Sequence, residues 1–329
     1  EFRRVLFRSK GSRHMKPLQK RLTTNVTKNV TRLSLILTCS LFTALSIYGQ
    51  TGARGLTRVA TTQVKQPSST DGEVHLLPIR GNVYMVVGAG GNITLQVGKD
   101  GVLLVDSGLT SASEKLLAAI RTVSNGPIRY ILNTHVHPDH TGGNAPVGSQ
   151  GITITDNNFG ADIAGSSVAP GARIVSHQAV LDRLSSADLD QPQAPGAAWP
   201  NDTYTTKQKK LFVNGEAVVL YYEPAAHTDG DAMVHFRKQD VLVTGDVFTP
   251  WRYPVFELDK GGSINGVIAG LNRILEIAVP AFNEEGGTVI VPGHGRLCDE
   301  ADVSDYRDMV TIVRDRVQDM INNKATDRK

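Results

Sequence analysis

Cysteine is nearly missing from this chain. Its 329 residues include two cysteines, Cys39 and Cys298. Cys39 lies inside an apolar N-terminal run, and Leu37 and Thr38 before it give no lipoprotein context. Only Cys298 is then expected in the mature protein, and one thiol excludes a disulfide within the chain. The chain is long enough for one large domain or two moderate ones with an ample core.

A basic tract is missing from the body of the chain. Residues 1–49 carry ten Lys and Arg against the single acid Glu1, whereas residues 50–329 carry 25 Lys and Arg against 31 Asp and Glu. A mildly acidic body does not favour a nucleic acid as partner, so we expect a small-molecule substrate. The sequence gives no indication of an oligomeric state.

A run of clearly membrane-spanning length is also missing. The apolar stretch "LSLILTCSLFTALSIYG", residues 33–49, is short for a span, which needs about 20 residues. It follows a basic stretch that starts at Met15, and the two together indicate a signal peptide. Cleavage after Ala44-Leu45-Ser46 or after Gly49 would release a periplasmic or secreted protein without stable membrane association. An uncleaved anchor is the alternative.

These features predict three parts of the chain. Residues 1–49 combine a vector-like upstream stretch before Met15 with the signal peptide. Residues 50–72 form a flexible linker rich in Ser, Thr and Gly. Residues 73–325 form the folded domain.

Short apolar runs separated by turn residues predict the strands of this domain. "VHLLPI", "VYMVVG" and the hairpin "ITLQVGKDGVLLVDSG" come first. Ser111 and Glu114 then make a capping-box pattern ahead of the helix "KLLAAIRTV". The strands "IRYILNTH" and "ARIVSH" follow, and the long segment between them is expected to cover a site.

The second half of the domain resembles the first. Its hairpins turn at Asn214-Gly215 and near Lys238-Gln239-Asp240, and helices "INGVIAGLNRILEIA" and 300–323 follow. Two halves of this kind predict two β-sheets packed together with helices on their outer faces.

Four potential metal ligands are concentrated in "NTHVHPDHTGGN", residues 133–144, although the whole chain has nine histidines. Side chains at i and i+2 share one face of a strand, so His135 and His137 are expected to aim at one metal. Pro138 disfavours continuation of the strand. Asp139 and His140 then lie on a turn beside the pair.

The density of this motif implies two metal ions. A catalytic zinc usually takes three protein ligands, so four ligands within six residues exceed the need of one ion. Further ligands are expected at other strand ends, and His227, Asp246 and His294 follow "YYEPAA", "VLVTG" and "TVIVPG". Taken singly, each also fits a structural histidine or a turn-capping aspartate. Imidazole-rich ligands favour zinc, with iron or manganese as alternatives.

The motifs H-x-H-x-D-H, "HTDGD", "TGD" and "VPGHG", in this order, resemble those of the metallo-β-lactamase-fold hydrolase superfamily. The resemblance spans residues 73–323. It implies an α/β fold of the αβ/βα four-layer sandwich type, with two mixed β-sheets, helices on the outer faces and a two-metal site along one edge. It also implies a ligand set: His135, His137 and His227 for the first zinc, Asp139, His140 and His294 for the second, and Asp246 as the bridge.

Departures from the family patterns narrow the expected activity. True β-lactamases of this fold carry Cys or Ser at the position of Asp246, whereas an aspartate resembles hydroxyacylglutathione hydrolases and lactonases. Flavodiiron reductases usually carry an acidic residue at the position of His137, which disfavours redox chemistry. The sequence shows no long insertion of the kind found in the nucleic-acid-processing branch.

The expected reaction is hydrolysis of an ester, thioester, lactone or β-lactam. A hydroxide shared by two metals would attack the carbonyl carbon. Asp139 would be the catalytic residue, ligating a metal and orienting the nucleophile. The alternatives are a persulfide dioxygenase of the same fold with one iron, and a catalytically silent ligand-binding protein.

Other residues give weaker signals. The segment "FTPWRYPVF" follows Asp246, and we expect it to line the substrate pocket through Phe248, Trp251, Arg252 and Tyr253. Further residues follow strands and are expected to support a ligand or serve the structure: Asp106 and His177.

Overall fold

The computed structural model describes residues 72–155, 167–187, 193–283 and 286–323. The predicted signal peptide and nearly all of the predicted linker lie outside these residues. None of the helices among the described residues combines the length and the apolarity that a membrane span requires.

Among the described residues, nine strands come first along the chain: β1 (His75–Arg80), β2 (Val83–Val87), β3 (Ile93–Gly98), β4 (Gly101–Val105), β5 (Ile128–Leu132), β6 (Ile152–Thr155), β7 (Ser167–Pro170), β8 (Arg173–His177) and β9 (Asp202–Tyr204). Seven of them make a mixed sheet in the order β1-β2-β3-β4-β5-β8-β9. The pairs β1-β2, β2-β3 and β3-β4 are antiparallel, and the pairs β4-β5, β5-β8 and β8-β9 are parallel. Strands β6 and β7 pair with each other as a separate two-stranded ribbon.

The second sheet has five strands within the described ranges: β10 (Gln208–Val213), β11 (Glu216–Glu223), β12 (Asp231–Phe236), β13 (Val241–Gly245) and β14 (Val289–Pro292). Neighbours are antiparallel except for β13 and β14, which are parallel. The predicted Asn214-Gly215 turn joins β10 to β11, and both residues have positive φ, 53° and 82°, as a type I′ turn requires.

In the described part of the chain, six α-helices accompany the sheets: α1 (Ser113–Arg121), α2 (Pro138–Thr141), α3 (Asn144–Gly148), α4 (Gln178–Leu184), α5 (Ile264–Ile277) and α6 (Glu300–Asn322). Leu116 and Ile120 of α1 pack in a cluster with one face of the first sheet. Helices α5 and α6 pack in a cluster with one face of the second sheet.

A third apolar cluster joins the two sheets. Successive residues of β2 point to opposite faces of the first sheet. Met85 belongs to the cluster between the sheets, whereas Val86 belongs to the cluster on the helix side. Leu220 and Phe236 meet Met85 from the second sheet. The layers are therefore helix, sheet, sheet and helix, and the predicted four-layer sandwich is confirmed.

One local prediction is wrong. The capping box fails because Ser111 lies inside a 3-10 turn, Thr110–Ala112, and Ala112 caps α1 without a side-chain hydrogen bond. The segment predicted to cover the site is described only at its two ends, because residues 156–166 lie outside the described residues, so this covering role stays a prediction. Ile152 bonds to Arg129 near the start of β5, whereas the histidine motif follows the other end of that strand.

Candidate metal centre

The seven predicted ligands all lie in connections that follow strands. The histidine motif follows β5, His227 lies between β11 and β12, Asp246 follows β13, and His294 follows β14. Parallel neighbours such as β13 and β14 end at the same edge of their sheet, which brings their following residues together. The structure collects all seven side chains into groups whose ligand atoms lie within 4.8 Å of one another.

The motif reaches the site differently from the expectation. Strand β5 ends at Leu132, so His135 and His137 lie in the loop that follows it and not on one face of a strand. Pro138 then starts the short helix α2, which carries Asp139 and His140. A proline at the first helical position costs no hydrogen bond, because that N–H has no partner inside a helix.

The first group consists of three imidazoles. His137 Nδ1 lies 3.1 Å from His135 Nε2 and 3.0 Å from His227 Nε2. Two atoms bound to one tetrahedral zinc at about 2.0–2.1 Å lie roughly 3.3–3.4 Å apart, so the three nitrogens are spaced as ligands of one ion.

The second group contains Asp139, His140 and His294. His294 Nε2 lies 3.1 Å from Asp139 Oδ2 and 3.4 Å from His140 Nε2. Asp139 Oδ2 and His140 Nε2 are 3.6 Å apart. These separations also suit a single ion, and both groups match the sets that the family resemblance implies.

Asp246 lies between the groups. Its Oδ1 is 3.5 Å from His140 Nε2 and 3.6 Å from His294 Nε2, while its Oδ2 is 3.7 Å from His227 Nε2. Oδ1 is buried and has no hydrogen-bond partner in the described part of the chain. A buried carboxylate oxygen without a donor is costly unless a cation neutralises it, so the donor set fits a pair of metal ions.

For His227 and His137, a hydrogen bond at one ring nitrogen determines which nitrogen is free to bind a metal. His227 Nδ1 donates to the carbonyl oxygen of Val255 at 2.8 Å, and His137 Nε2 donates to Glu257 Oε1 at 2.6 Å. A ring nitrogen that donates leaves the lone pair of the other nitrogen free for a metal. The free lone pairs are those of His227 Nε2 and His137 Nδ1, which face the first group.

Asp106 supports both groups from a buried position after β4. Its Oδ2 accepts hydrogen bonds from His140 Nδ1 and from Thr134 Oγ1, each at 2.8 Å. Thr134 Oγ1 lies 3.0 Å from His135 Nδ1 and accepts a hydrogen bond from it, since its own hydroxyl proton is donated to Asp106. One carboxylate thus orients His140 directly and His135 through a threonine, as the sequence predicted for one ligand.

Electrostatics distinguish the two groups. Burial and the neighbouring imidazoles lower the pKa of His135 and of His137, which keeps both rings neutral. Burial disfavours charge on His140 as well, but Asp106 and the other carboxylates outweigh it and raise the pKa of His140 to about 9. Burial opposes ionisation of Asp139, yet His294 and His140 hold its pKa below the usual range. The carboxylates of Asp106, Asp139 and Asp246 thus favour positive charge at the second group.

The loop that carries His227 is fixed by Asp231. Asp231 Oδ2 accepts the backbone N–H groups of His227 and Thr228, at 2.6 and 2.8 Å, and Oδ1 accepts the Thr228 hydroxyl. The motif "HTDGD" therefore combines one candidate ligand with the carboxylate that holds its backbone.

The four residues predicted to line the substrate pocket differ in their exposure to solvent. Phe248 is fully buried and packs edge-on against Tyr306, so the prediction that it lines a pocket is wrong. Trp251 and Tyr253 are exposed, and the Arg252 guanidinium lies 4.8 Å over the Trp251 ring. For Trp251, Arg252 and Tyr253 a substrate contact stays a prediction.

His177 has a structural role. Its ring stacks on Tyr222 with centroids 3.6 Å apart, and its Nδ1 accepts the backbone N–H of Ala179 at the start of α4. These contacts tie β8 and α4 to β11, and His177 belongs to none of the candidate metal groups found among the described residues.

A cavity of about 320 Å³ lies beside α2 and is lined in part by Val136, Pro138 and Thr141. Arg183 and Lys260 supply its charged atoms. Of the described residues that line it, none is a candidate ligand, so this cavity is separate from the ligand atoms.

Sequence reasoning missed Glu257 and Thr134. Thr134 directly precedes His135 and could have been noticed as a hydroxyl next to a ligand. Glu257 lies in an irregular segment eleven residues beyond Asp246, and no period or motif marks it.

Comparisons with known proteins bear on the family and the fold of this chain. The family model described as "Metallo-beta-lactamase superfamily" matches residues 86–294. A search of curated protein sequences finds no match.

Solved structures with the same fold share little sequence with the chain. A metallo-beta-lactamase from Pontibacter korlensis is 17% identical, with 73% of this chain and 99% of that chain covered and a TM-score of 0.52. The DIM-1 metallo-beta-lactamase is 16% identical, with coverages of 73% and 98% and a TM-score of 0.52. A double mutant of the sec-alkyl sulfatase PisA1 is 15% identical, with coverages of 76% and 43% and a TM-score of 0.58. Since the family model covers most of the described domain and carries the ligand motifs, this chain belongs to the metallo-beta-lactamase superfamily.

Proposed function

We propose that this protein is a binuclear zinc-dependent hydrolase that cleaves a carbonyl bond of an ester, thioester, lactone or β-lactam. The observation that carries the proposal is the position of Asp246, whose two oxygens face different groups and whose Oδ1 is buried without a donor. Zinc fits the five imidazoles and two carboxylates of the set, and iron or manganese would fit with lower preference. When bound, a pair of such ions supplies a nucleophilic water of lowered pKa and polarises a carbonyl oxygen.

The roles of the protein's own residues follow from exposure and charge. Asp139 is about one-third exposed, whereas His140 and Asp246 are buried, so Asp139 lies towards the side from which a substrate arrives. Its low pKa keeps the carboxylate ionised, which suits a ligand that accepts a hydrogen bond from the attacking water. We assign Asp139 the orientation of that water.

Asp106 and Glu257 hold the imidazoles in the tautomers that leave ligand atoms free. This arrangement is preorganised, because the rings need no rotation or proton rearrangement when metal enters. The exception is His140, whose raised pKa means that metal must displace a proton.

A substrate panel tests the proposal. The zinc-loaded domain should hydrolyse at least one member of a panel of aryl esters, thioesters, lactones and β-lactams, and chelation should abolish the activity. An alkyl sulfate belongs in the panel, because one structural neighbour is a sec-alkyl sulfatase. Inactivity of the zinc-loaded protein on the four carbonyl classes would contradict the proposal. Oxygen consumption with a persulfide and one iron per chain would favour the dioxygenase alternative.

We also propose that the protein is exported and cleaved near residues 46–49, on the basis of the basic stretch and apolar run at the N-terminus. N-terminal sequencing of protein from an exporting host tests this. A membrane-bound product that retains Leu33 would contradict it.

A further inference from the structure

A short segment after Asp246 joins two ligands of the first group. The carbonyl of Val255 accepts from His227 Nδ1, and the backbone N–H of Glu257 donates to the carbonyl of His227 at 2.9 Å. The Glu257 carboxylate accepts from His137 Nε2 at 2.6 Å. His137 and His227 are 90 positions apart in the chain, and this segment bonds to both.

The segment is itself held in place. Lys260 Nζ lies 2.7 Å from Glu257 Oε2, so the two carboxylate oxygens have separate partners. The backbone N–H groups of Lys260 and Gly262 donate to the Glu257 carbonyl at 3.0 and 2.8 Å. The carboxylate therefore has little freedom to rotate away from His137.

The contact determines which nitrogen of His137 is available. An ionised carboxylate can only accept a hydrogen bond, so the ring proton resides on Nε2 and the Nδ1 lone pair is left bare. Nδ1 is the atom that lies near both His135 Nε2 and His227 Nε2. With the opposite tautomer, the proton would point into the first group and would have to leave before a metal could bind.

We propose that Glu257, held by Lys260, is the positioning residue of the first metal group, fixing His137 as an Nδ1 ligand and setting the metal affinity of that group. This inference rests on the proposed function, since it takes the three imidazoles as a metal site. It assigns Glu257 no contact with substrate.

Zinc affinity measures the effect directly. In a His294→Ala background, which impairs the second group, competition with a chromophoric chelator reports the first group alone. Glu257→Ala should weaken zinc binding there by about 10–100-fold, the usual effect of losing a partner of a metal-bound histidine. Glu257→Gln should give an intermediate loss, because its amide oxygen can still accept from His137 but its NH₂ faces the Lys260 ammonium.

Asp259→Asn is the matched control, since Asp259 is an exposed acid on the same turn. It should bind zinc as the background protein does. Thermal unfolding of each metal-free variant establishes that the fold is retained. If Glu257→Ala does not fold, the Glu257→Gln comparison decides.

The tautomer of His137 gives a second readout. Long-range ¹H–¹⁵N correlation spectra of the metal-free protein should show the proton on Nε2 in the wild type and a mixture in Glu257→Ala. A wild-type proton on Nδ1, or unchanged zinc affinity in both Glu257 variants, would overturn the inference while leaving the proposed hydrolase standing. A wild-type protein that binds no zinc would overturn both.

Discussion

Replacement of Asp106 by asparagine should weaken both metal groups at once. Asp106 is buried and accepts three hydrogen bonds: Thr134 N to Oδ1 at 2.8 Å, and Thr134 Oγ1 and His140 Nδ1 to Oδ2 at 2.8 Å each. Its φ is 65°, a left-handed conformation that asparagine tolerates as well as aspartate, so the substitution adds no backbone strain. Asparagine has the same shape, and its amide oxygen can still satisfy Thr134 N.

The magnitude follows from the two donors that lose their acceptor. The NH₂ of the introduced amide would face the His140 N–H and the Thr134 hydroxyl, and each buried donor left unsatisfied costs about 1–3 kcal/mol. We expect the free energy of unfolding of the metal-free protein to fall by about 2–5 kcal/mol after partial relaxation. Metal affinity should fall by about 10–100-fold in each group, because His140 and His135 both depend on this carboxylate.

Two assays check this prediction. Urea unfolding of the metal-free proteins gives the change in stability, and chelator competition gives the two zinc affinities. Asp259→Asn again serves as the control, with an expected change below about 0.5 kcal/mol for an exposed site. A similarly small change in Asp106→Asn, with both zinc affinities intact, would refute the role given to Asp106.

Four other substitutions test separate parts of the structure. Asp246→Ala should remove metal and lower the hydrolysis rate by at least about 10²–10³-fold, whereas His177→Ala should keep its metal and change the rate by less than about tenfold; the reverse pattern in a metal analysis would contradict the ligand assignment. Gly293→Ala should displace Asp246 and reduce zinc content, because an added Cβ would lie 2.0 Å from Asp246 Oδ1; full zinc content by elemental analysis would contradict that geometry. Burial raises the pKa of Glu223 from 4.5 to about 7, so its ionisation opposes folding progressively between these pH values. Glu223→Gln should therefore raise the free energy of unfolding by about 2–3 kcal/mol at pH 8 and by little at pH 4.5, as measured by urea unfolding at both pH values.

Much of the fold was predictable because its signals are local. The Asn214-Gly215 turn needs positive φ at both positions, which this dipeptide adopts readily, and the structure has it there. The alternation of apolar residues in β2 separates the two buried faces. The capping-box prediction at Ser111 was wrong, because the chain there forms a 3-10 turn in which Thr110 Oγ1 donates to the distant Gly142 carbonyl.

The candidate site was predictable only in part. The five histidines and two aspartates follow strand ends, and the chemistry of metal ligands makes such positions recognisable. Glu257 was not predictable, since its contact with His137 depends on how an irregular segment folds across about 120 residues of chain. The prediction that Phe248 lines the pocket was wrong for a related reason. Phe248 closely follows Asp246 in sequence, but its ring is buried in the core beside Tyr306.

Elemental analysis of the purified, zinc-saturated wild-type protein tests the central claim most directly. Because Asp246 faces both ligand groups, each group should hold one ion, and the measurement should give close to two zinc ions per chain. One ion per chain at saturation, or none, would contradict the binuclear site.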